Sequence, residues 1–163
     1  DVGPQIRLGI PAYFPDHYIP DANQRLYFYK RLASLKDVAE LAELKEEIKD
    51  RFGPYDTAVE NLFLVMNLRR VLKAFLVQQI TVSDGKVLLL FHAESPVKVE
   101  KLLELMHRQK NRFRLSPDGR LSYAPKNQEW AALVDEVTEL LHSVGETTAG
   151  PGALSEAAPA SLS

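Results

Sequence analysis

The hydrophobic period of the chain changes near residue 77, and this change constrains the fold more than any other feature. Upstream, apolar residues recur at helical spacing in three segments, which predicts helices over 22–33, from Ser34 to about Phe52, and over 56–75. Downstream, Asp84-Gly85 separates two apolar runs, as in a hairpin with a tight turn. Helices followed by strands predict an α+β fold, with helices packed around a small, mainly antiparallel β-sheet.

The ends of the predicted helices carry capping residues. Asp21 is expected to cap the first helix. Ser34 is expected to cap the second, with Asp37 at capping-box spacing. Gly53 and Pro54 are expected to end that second helix, because glycine adopts positive φ and proline cannot continue a helix.

The second half of the chain predicts two more helices and a second hairpin. Ser95-Pro96 is typical of a helix start, and this helix is expected to run to about Lys110. Its buried face is predicted to consist of Val99, Leu102, Leu103 and Met106. Alternating residues on either side of a turn over 116–119 predict a second hairpin, and a last helix is expected to begin near Asn127.

Composition divides the chain into three parts. Residues 1–20 are rich in proline and glycine and are interpreted as an extended lead-in from an upstream domain, whereas 21–144 form the folded domain. Residues 145–163 have little apolar bulk and are predicted to be a disordered tail. Neither a signal peptide nor an apolar run long enough for a membrane is found, so a cytoplasmic protein with no membrane partner is expected.

No motif for catalysis is present in the sequence. The 163 residues include no cysteine, which excludes thiol catalysis, disulfide bonds and cysteine-bound zinc. The sequence also lacks a phosphate-binding loop, a dinucleotide-binding turn, a zinc-protease motif and a nucleophile elbow. We therefore expect no catalytic residue, no metal site and no cofactor in this domain.

The near-neutral net charge of −2 conceals an uneven distribution. Residues 37–60 carry three basic and eight acidic side chains, whereas 61–126 carry twelve basic and five acidic ones. Within the acidic segment, carboxylates spaced three or four residues apart share one helix face: Glu40, Glu43, Glu47 and Asp50. This face is either an ordinary solvated surface or a docking surface for arginines of a partner.

The basic segment contains a second candidate surface. Arg112, Arg114 and Arg120 alternate with core residues in the second hairpin, so all three are expected to point away from the core. They could contact nucleic acid or another partner, or they could simply protect a sheet edge. Phe113 and Tyr123 have the core-facing parity, which argues against an exposed base-stacking platform.

Three stretches together resemble a known family. They are IPAYFPDHYIPDANQRLYFYKRLAS (10–34), ELAELKEEIKDRFGP (40–54) and VENLFLVMNLRR (59–70). Their order and spacing resemble the C-terminal domain of the bacterial transcription-repair coupling factors, the Mfd family. The resemblance is strong over about the first 75 residues.

The resemblance implies a regulatory role without catalysis. The full protein is expected to be an ATP-driven DNA translocase that displaces stalled RNA polymerase and recruits UvrA, with ATP and Mg²⁺ bound by upstream motor domains. The C-terminal domain is expected to dock on a UvrB-like module of the same chain, mask its UvrA-binding surface and restrain the motor. We hypothesise that Glu47 and Asp50, with Glu43, form this clamp. The alternative is a nucleic-acid-binding module that uses the basic sheet face.

Overall fold

The computed structural model describes residues 3–146. The chain divides into two compact units. The helical unit comprises Ile10–Arg70, and the sheet unit comprises the segment ending at Gly9 together with the segment that begins at Val71.

Three helices build the helical unit. They are α1 (Ala22–Ala33), α2 (Val38–Phe52) and α3 (Thr57–Ala74), of which residues 71–74 belong to the sheet unit. Both bounds of α1 and the end of α2 are those predicted from the sequence. The core of this unit is formed by the buried side chains of Phe14, Tyr18, Ile19, Phe28, Leu32, Leu41, Leu44, Ile48, Val59, Leu62 and Phe63.

The cap of α2 differs from the prediction. The carboxylate of Asp37 accepts a hydrogen bond from the backbone N–H of Glu40 at 2.8 Å, so Asp37 is the N-cap. The expectation that Ser34 caps this helix is wrong, because Ser34 is the C-cap of α1 and its hydroxyl donates to the carbonyl of Lys30. Serine can cap a helix or return a bond to the preceding turn, and the sequence does not distinguish the two.

The segment before α1 is fastened to the helices by hydrogen bonds from aromatic hydroxyls. The Tyr18 hydroxyl donates to the carbonyl of Gly53 at 2.7 Å, and the Tyr29 hydroxyl accepts from the N–H of Phe14 at 2.7 Å. Burial raises the pKa of Tyr18 to about 12. Gly53 has φ +93°, so the residue after α2 occupies a conformation that favours glycine.

The sheet unit contains five strands among the described residues. They are β1 (Gln5–Arg7), β2 (Val77–Ser83), β3 (Lys86–Phe91), β4 (Phe113–Leu115) and β5 (Arg120–Tyr123), and α4 (Val99–Arg108) and α5 (Trp130–Val144) complete the unit. Their spatial order is β1-β2-β3-β5-β4. Asp84 and Gly85 both have positive φ, as the predicted tight turn between β2 and β3 requires.

The predicted α+β class and the mainly antiparallel sheet are confirmed. β2, β3, β5 and β4 pair antiparallel, whereas β1 pairs parallel to β2. The apolar strand β3 lies in the middle of the sheet, as expected from its continuous hydrophobic run. The sequence did not identify β1 as a strand, because three residues near the start pair with residues more than seventy positions away.

The start of α4 is later than predicted. The Ser95 hydroxyl donates to the carbonyl of Phe75 at 2.7 Å, and Val97 forms an antiparallel bridge with Gly145. The N–H of Lys98 donates to the carbonyl of Val144 at 2.7 Å. These long-range contacts hold Val97 and Lys98 extended, so the helix begins only at Val99.

The buried face of α4 is also different from the prediction. Leu102 and Leu105 are buried, whereas Val99 and Leu103 are 56% and 54% exposed. Leu102 and Leu105 are three residues apart and share one side of the helix, so the buried face of α4 is rotated away from Val99 and Leu103.

Two expectations concern the chain termini and membranes. The predicted disordered tail over 145–163 lies, from residue 147 onward, outside the described residues. Within residues 3–146, none of the helices has the length and apolar character needed to span a membrane.

Candidate functional site

The acidic face of α2 lies beside the buried side of the helix and extends onto its exposed side. Leu41, Leu44 and Ile48 are buried. Because α2 runs unbroken from Val38 to Phe52, residues three and four positions apart are neighbours on its surface. The helix therefore presents Glu40, Glu43, Glu47 and Asp50 along one face, but the four carboxylates have different surroundings.

Glu40 belongs to the structure of the helix start. Its carboxylate accepts a hydrogen bond from the backbone N–H of Lys36 at 3.0 Å, while its own N–H donates to Asp37. The arrangement differs from a capping box, because Glu40 returns its bond to Lys36, one residue before the N-cap Asp37. Glu40 is thus engaged with the backbone at the start of α2, which leaves it less available to a partner.

Glu47 is paired with two arginines of its own unit. Arg31 donates to Glu47 with a distance of 2.8 Å between Nη1 and Oε1, and Arg51 Nη1 lies 3.7 Å from Oε2. The hydrogen bond to Glu47 raises the pKa of Arg31 above its ordinary value. The Glu47 side chain remains 37% exposed, so a partner can still reach it.

Glu43 and Asp50 are the open carboxylates of this face. Both are exposed. Neither forms an ion pair with any of residues 3–146. They line a shallow groove that also includes Ala42, Glu46, Glu47 and Arg51. The sequence did not select Glu46, because its position falls beside the regular spacing of the stripe rather than on it.

Aromatic and arginine side chains border the acidic groove. The Arg31 guanidinium lies 5.5 Å from the centre of the Tyr27 ring, and Arg51 lies 5.3 Å from the centre of the Phe28 ring. Tyr27 is half exposed, whereas Phe28 is fully buried. Such contacts favour fixed positions for the two guanidinium groups. The groove therefore combines open carboxylates with one carboxylate that is held by arginines.

Tyr55 contacts α2 close to the carboxylates of the acidic groove. Burial raises its pKa, and the carboxylates of Glu46 and Asp50 act in the same direction. Its hydroxyl donates to the carbonyl of Lys45. Carboxylates that disfavour a tyrosinate also favour a cation, so this side of α2 is suited to arginine or lysine groups.

The three arginines of the predicted basic face do not form one surface. Arg112 turns toward α5, where its Nη2 lies 2.9 Å from Oε2 of Glu136, and both side chains are about 80% buried. It also donates to the carbonyl of Ala124 and to Oε1 of Gln109. The expectation that all three arginines point away from the core is therefore wrong for Arg112. A carboxylate 24 residues away redirects it.

Arg114 and Arg120 are exposed, as expected, but they have different neighbours. Arg120 forms an ion pair with Asp118 in the turn between β4 and β5. Arg114 lies opposite Ser122 in the sheet and lines a separate cleft with Lys86 and Lys110. The parity argument placed Phe113 and Tyr123 on the core side, and both are buried.

Residues 3–146 contain no group of three His, Asp or Glu side chains arranged to hold a metal ion. Two of the histidines have ordinary local contacts. His17 lies 3.3 Å from Asp56, and His92 Nδ1 accepts from the N–H of Glu94.

Comparison with known proteins identifies the family. A family model described as the TRCF domain matches residues 8–102. The transcription-repair-coupling factor of Haemophilus influenzae is 31% identical over 139 residues, which are 85% of this chain and 12% of that protein. The corresponding factor of Escherichia coli is 29% identical over 87% of this chain and 12% of its own length.

A solved structure supports the fold. The crystal structure of the C-terminal domain of a transcription-repair coupling factor superposes with a TM-score of 0.70 and 21% sequence identity. The match covers 88% of this chain and 93% of that one. The chain spans about one eighth of the length of the curated relatives it matches, at 12% for the two named above. The resemblance seen in the sequence is confirmed: the chain belongs to the TRCF domain family, and it corresponds to the C-terminal domain of the transcription-repair coupling factors.

Proposed function

We propose that this domain is the non-catalytic, autoinhibitory domain of a transcription-repair coupling factor. It docks on a UvrB-like module of the same protein, masks the surface that binds UvrA, and restrains an ATP-driven DNA translocase until RNA polymerase is engaged. ATP and Mg²⁺ belong to the upstream motor, and the protein acts in the bacterial cytoplasm. The observation that carries the docking proposal is the acidic groove of α2, whose carboxylates Glu43 and Asp50 are open.

The docking partner is a surface that offers arginines. A planar guanidinium matches a carboxylate with two parallel hydrogen bonds, so several carboxylates in one groove select arginine over other side chains. Glu43, Glu47 and Asp50 are spaced by four and three residues and therefore present three carboxylates over two helical turns. Glu40 contributes less, because its carboxylate already accepts a bond from the N–H of Lys36 at the helix start.

The energy of such a contact suits a latch that must open. Exposed ion pairs contribute about 0–1 kcal/mol each, so three pairs supply at most about 3 kcal/mol. Glu47 contributes less than an open carboxylate, because a partner arginine must compete with Arg31, which already lies 2.8 Å from Glu47. The latch is therefore weak and sensitive to salt, and engagement of the motor can release it.

The test is charge reversal in the intact protein. Glu47→Arg combined with Asp50→Arg should raise the basal ATPase rate and expose the UvrA-binding surface in a pull-down. Unchanged UvrA binding together with unchanged ATPase would refute the proposal. Because Glu47→Arg also breaks the pair with Arg31, a second variant is needed.

The second variant leaves the Arg31–Glu47 pair intact. Glu43→Arg combined with Asp50→Arg alters only carboxylates that have no ion pair within residues 3–146, so the fold should be preserved. The matched control is Glu104→Arg with Glu139→Arg, which reverses two exposed carboxylates on α4 and α5. The control should leave both readouts at the wild-type level.

The sequence also suggested a nucleic-acid surface made of Arg112, Arg114 and Arg120 together. The ion pairs of two of these arginines do not favour it. Arg112 is engaged with Glu136 and Arg120 with Asp118.

A further inference from the structure

A cleft lined by basic side chains lies at one end of the sheet unit. It encloses about 320 Å³ and is lined by Lys86, Lys110, Asn111, Arg112, Arg114, Ser122, Tyr123 and Ala124. We propose that this cationic cleft binds the phosphodiester backbone of duplex DNA. The proposal is independent of the docking function of α2, since the two sites belong to different units.

The sheet register explains why these side chains meet. Ser122 of β5 pairs with Leu88 of β3 on one side and with Arg114 of β4 on the other. Lys86 is two residues before Leu88 and therefore points to the same face of the sheet. Lys110, from the loop after α4, completes the cleft. Residues distant in sequence are thus collected at one end of one sheet face.

Three of the four cationic side chains in the cleft have no acidic partner in the described part of the chain. Arg112 is paired with Glu136. In contrast, Lys86, Lys110 and Arg114 have no carboxylate within 4.0 Å among residues 3–146. Like charges that share a cleft favour occupation by an anion.

The shape of the cleft favours a nucleic-acid backbone over a single small anion. Lys86 on β3 and Arg114 on β4 flank β5, so their backbones are about two strand spacings, roughly 10 Å, apart. One phosphate uses only part of such a site, whereas successive phosphates of a strand can use all of it. Lysine and arginine are the usual phosphate ligands, and the Ser122 hydroxyl adds a further donor.

Recognition should be independent of base sequence. Tyr123 contributes to the wall of the cleft, but the side chains of Phe113 and Tyr123 are both buried and cannot stack on bases. The cleft therefore offers charge and hydrogen-bond donors without a base-reading surface. Contacts of this kind position duplex DNA through its backbone.

The experiment is a fluorescence anisotropy titration of the 163-residue chain against a labelled 20-base-pair duplex at 20 to 200 mM KCl. Three phosphate contacts predict a slope of log K against log salt of about −2.7, because each contributes about −0.9. Lys86→Gln with Arg114→Gln removes two contacts. It should flatten the slope by about 1.8 and weaken binding at least tenfold at 50 mM KCl.

The control is Lys98→Gln with Lys101→Gln, which removes two exposed lysines outside the cleft. Binding by this control should equal that of the wild type, and circular dichroism should give similar melting temperatures for all three proteins. Equal loss of affinity in both double variants would overturn the proposal, as would the absence of any binding at 20 mM KCl. Competition by poly-glutamate as effective as that by unlabelled duplex would assign the cleft to an acidic polypeptide and would also overturn it.

Discussion

Replacement of Arg112 by alanine should destabilise the domain markedly. Arg112 makes an ion pair with Glu136 at 2.9 Å and donates to Gln109 and to the carbonyl of Ala124 at 2.9 and 3.1 Å. Its guanidinium also lies 5.0 Å from the centre of the Phe113 ring. The side chain is only 20% exposed, so these bonds are largely shielded from water.

The magnitude follows from these contacts. A hydrogen bond to a charged group contributes about 1.5–3 kcal/mol, and loss of one partner of a buried pair costs about 3–5 kcal/mol. Glu136 keeps a bond from the N–H of Lys126 at 3.3 Å and is itself 21% exposed, which reduces the penalty. We expect a loss of about 3 kcal/mol, or roughly 6–12 °C in melting temperature for a chain of this size.

The assay is urea unfolding followed by circular dichroism. The matched control is Arg114→Ala, which replaces an exposed arginine two residues further along the chain, on β4. It should change the free energy of unfolding by less than about 0.5 kcal/mol. A double-mutant cycle with Glu136→Ala should give a coupling energy of about 1 kcal/mol or more. If Arg112→Ala and Arg114→Ala were equally stable, Arg112 would be an ordinary solvated charge with no stabilising role.

Three further predictions test local features. Asp37→Ala should lower the free energy of unfolding by about 1 kcal/mol, because Asp37 caps α2. Ser34→Ala should lower it by less than about 0.5 kcal/mol, because Ser34 does not cap that helix. Equal losses in urea unfolding would contradict this assignment. Tyr123→Phe should raise the melting temperature by a few degrees, since the buried hydroxyl has no partner within residues 3–146; a lower melting temperature would argue for a missed hydrogen bond. Stability should fall as the pH rises from about 10 to about 12, because the neutral form of Tyr18 is favoured in the folded state and its pKa is raised to about 12. Tyr18→Phe should flatten that alkaline loss in a pH series of urea midpoints, and an unchanged profile would exclude Tyr18 as the cause.

Features encoded by neighbouring residues could be predicted from the sequence. Asp21 marks the start of α1, Gly53 marks the end of α2, and Asp84-Gly85 forms the tight turn of the first hairpin. In each case the responsible residue lies within a few positions of the feature, so a short sequence window contains the whole physical cause.

Features that depend on distant residues could not be predicted. β1 exists because Ile6 pairs with Ile80, and α4 starts late because Lys98 is bonded to Val144. The hydrophobic pattern of neither segment indicates which distant residues it will contact. The same reason explains the error at Arg112, whose partner Glu136 lies on another helix.

The sequence predicted which carboxylates share one face of α2, but not which of them are already paired. Helical spacing correctly grouped Glu43, Glu47 and Asp50 on one face of α2. It could not reveal that Arg31, on α1, already holds Glu47. It also could not reveal the cleft of Lys86, Lys110 and Arg114, which depends on the strand register.

The most direct test of the proposed docking is the affinity of this chain for the proposed UvrB-like module, expressed separately and measured by isothermal titration calorimetry at 50 and 300 mM KCl. Binding should weaken with salt and fall at least tenfold in Glu43→Arg with Asp50→Arg, while Lys86→Gln with Arg114→Gln should bind like the wild type. Affinity that is unchanged by reversal of the α2 carboxylates would show that this face is not the docking surface.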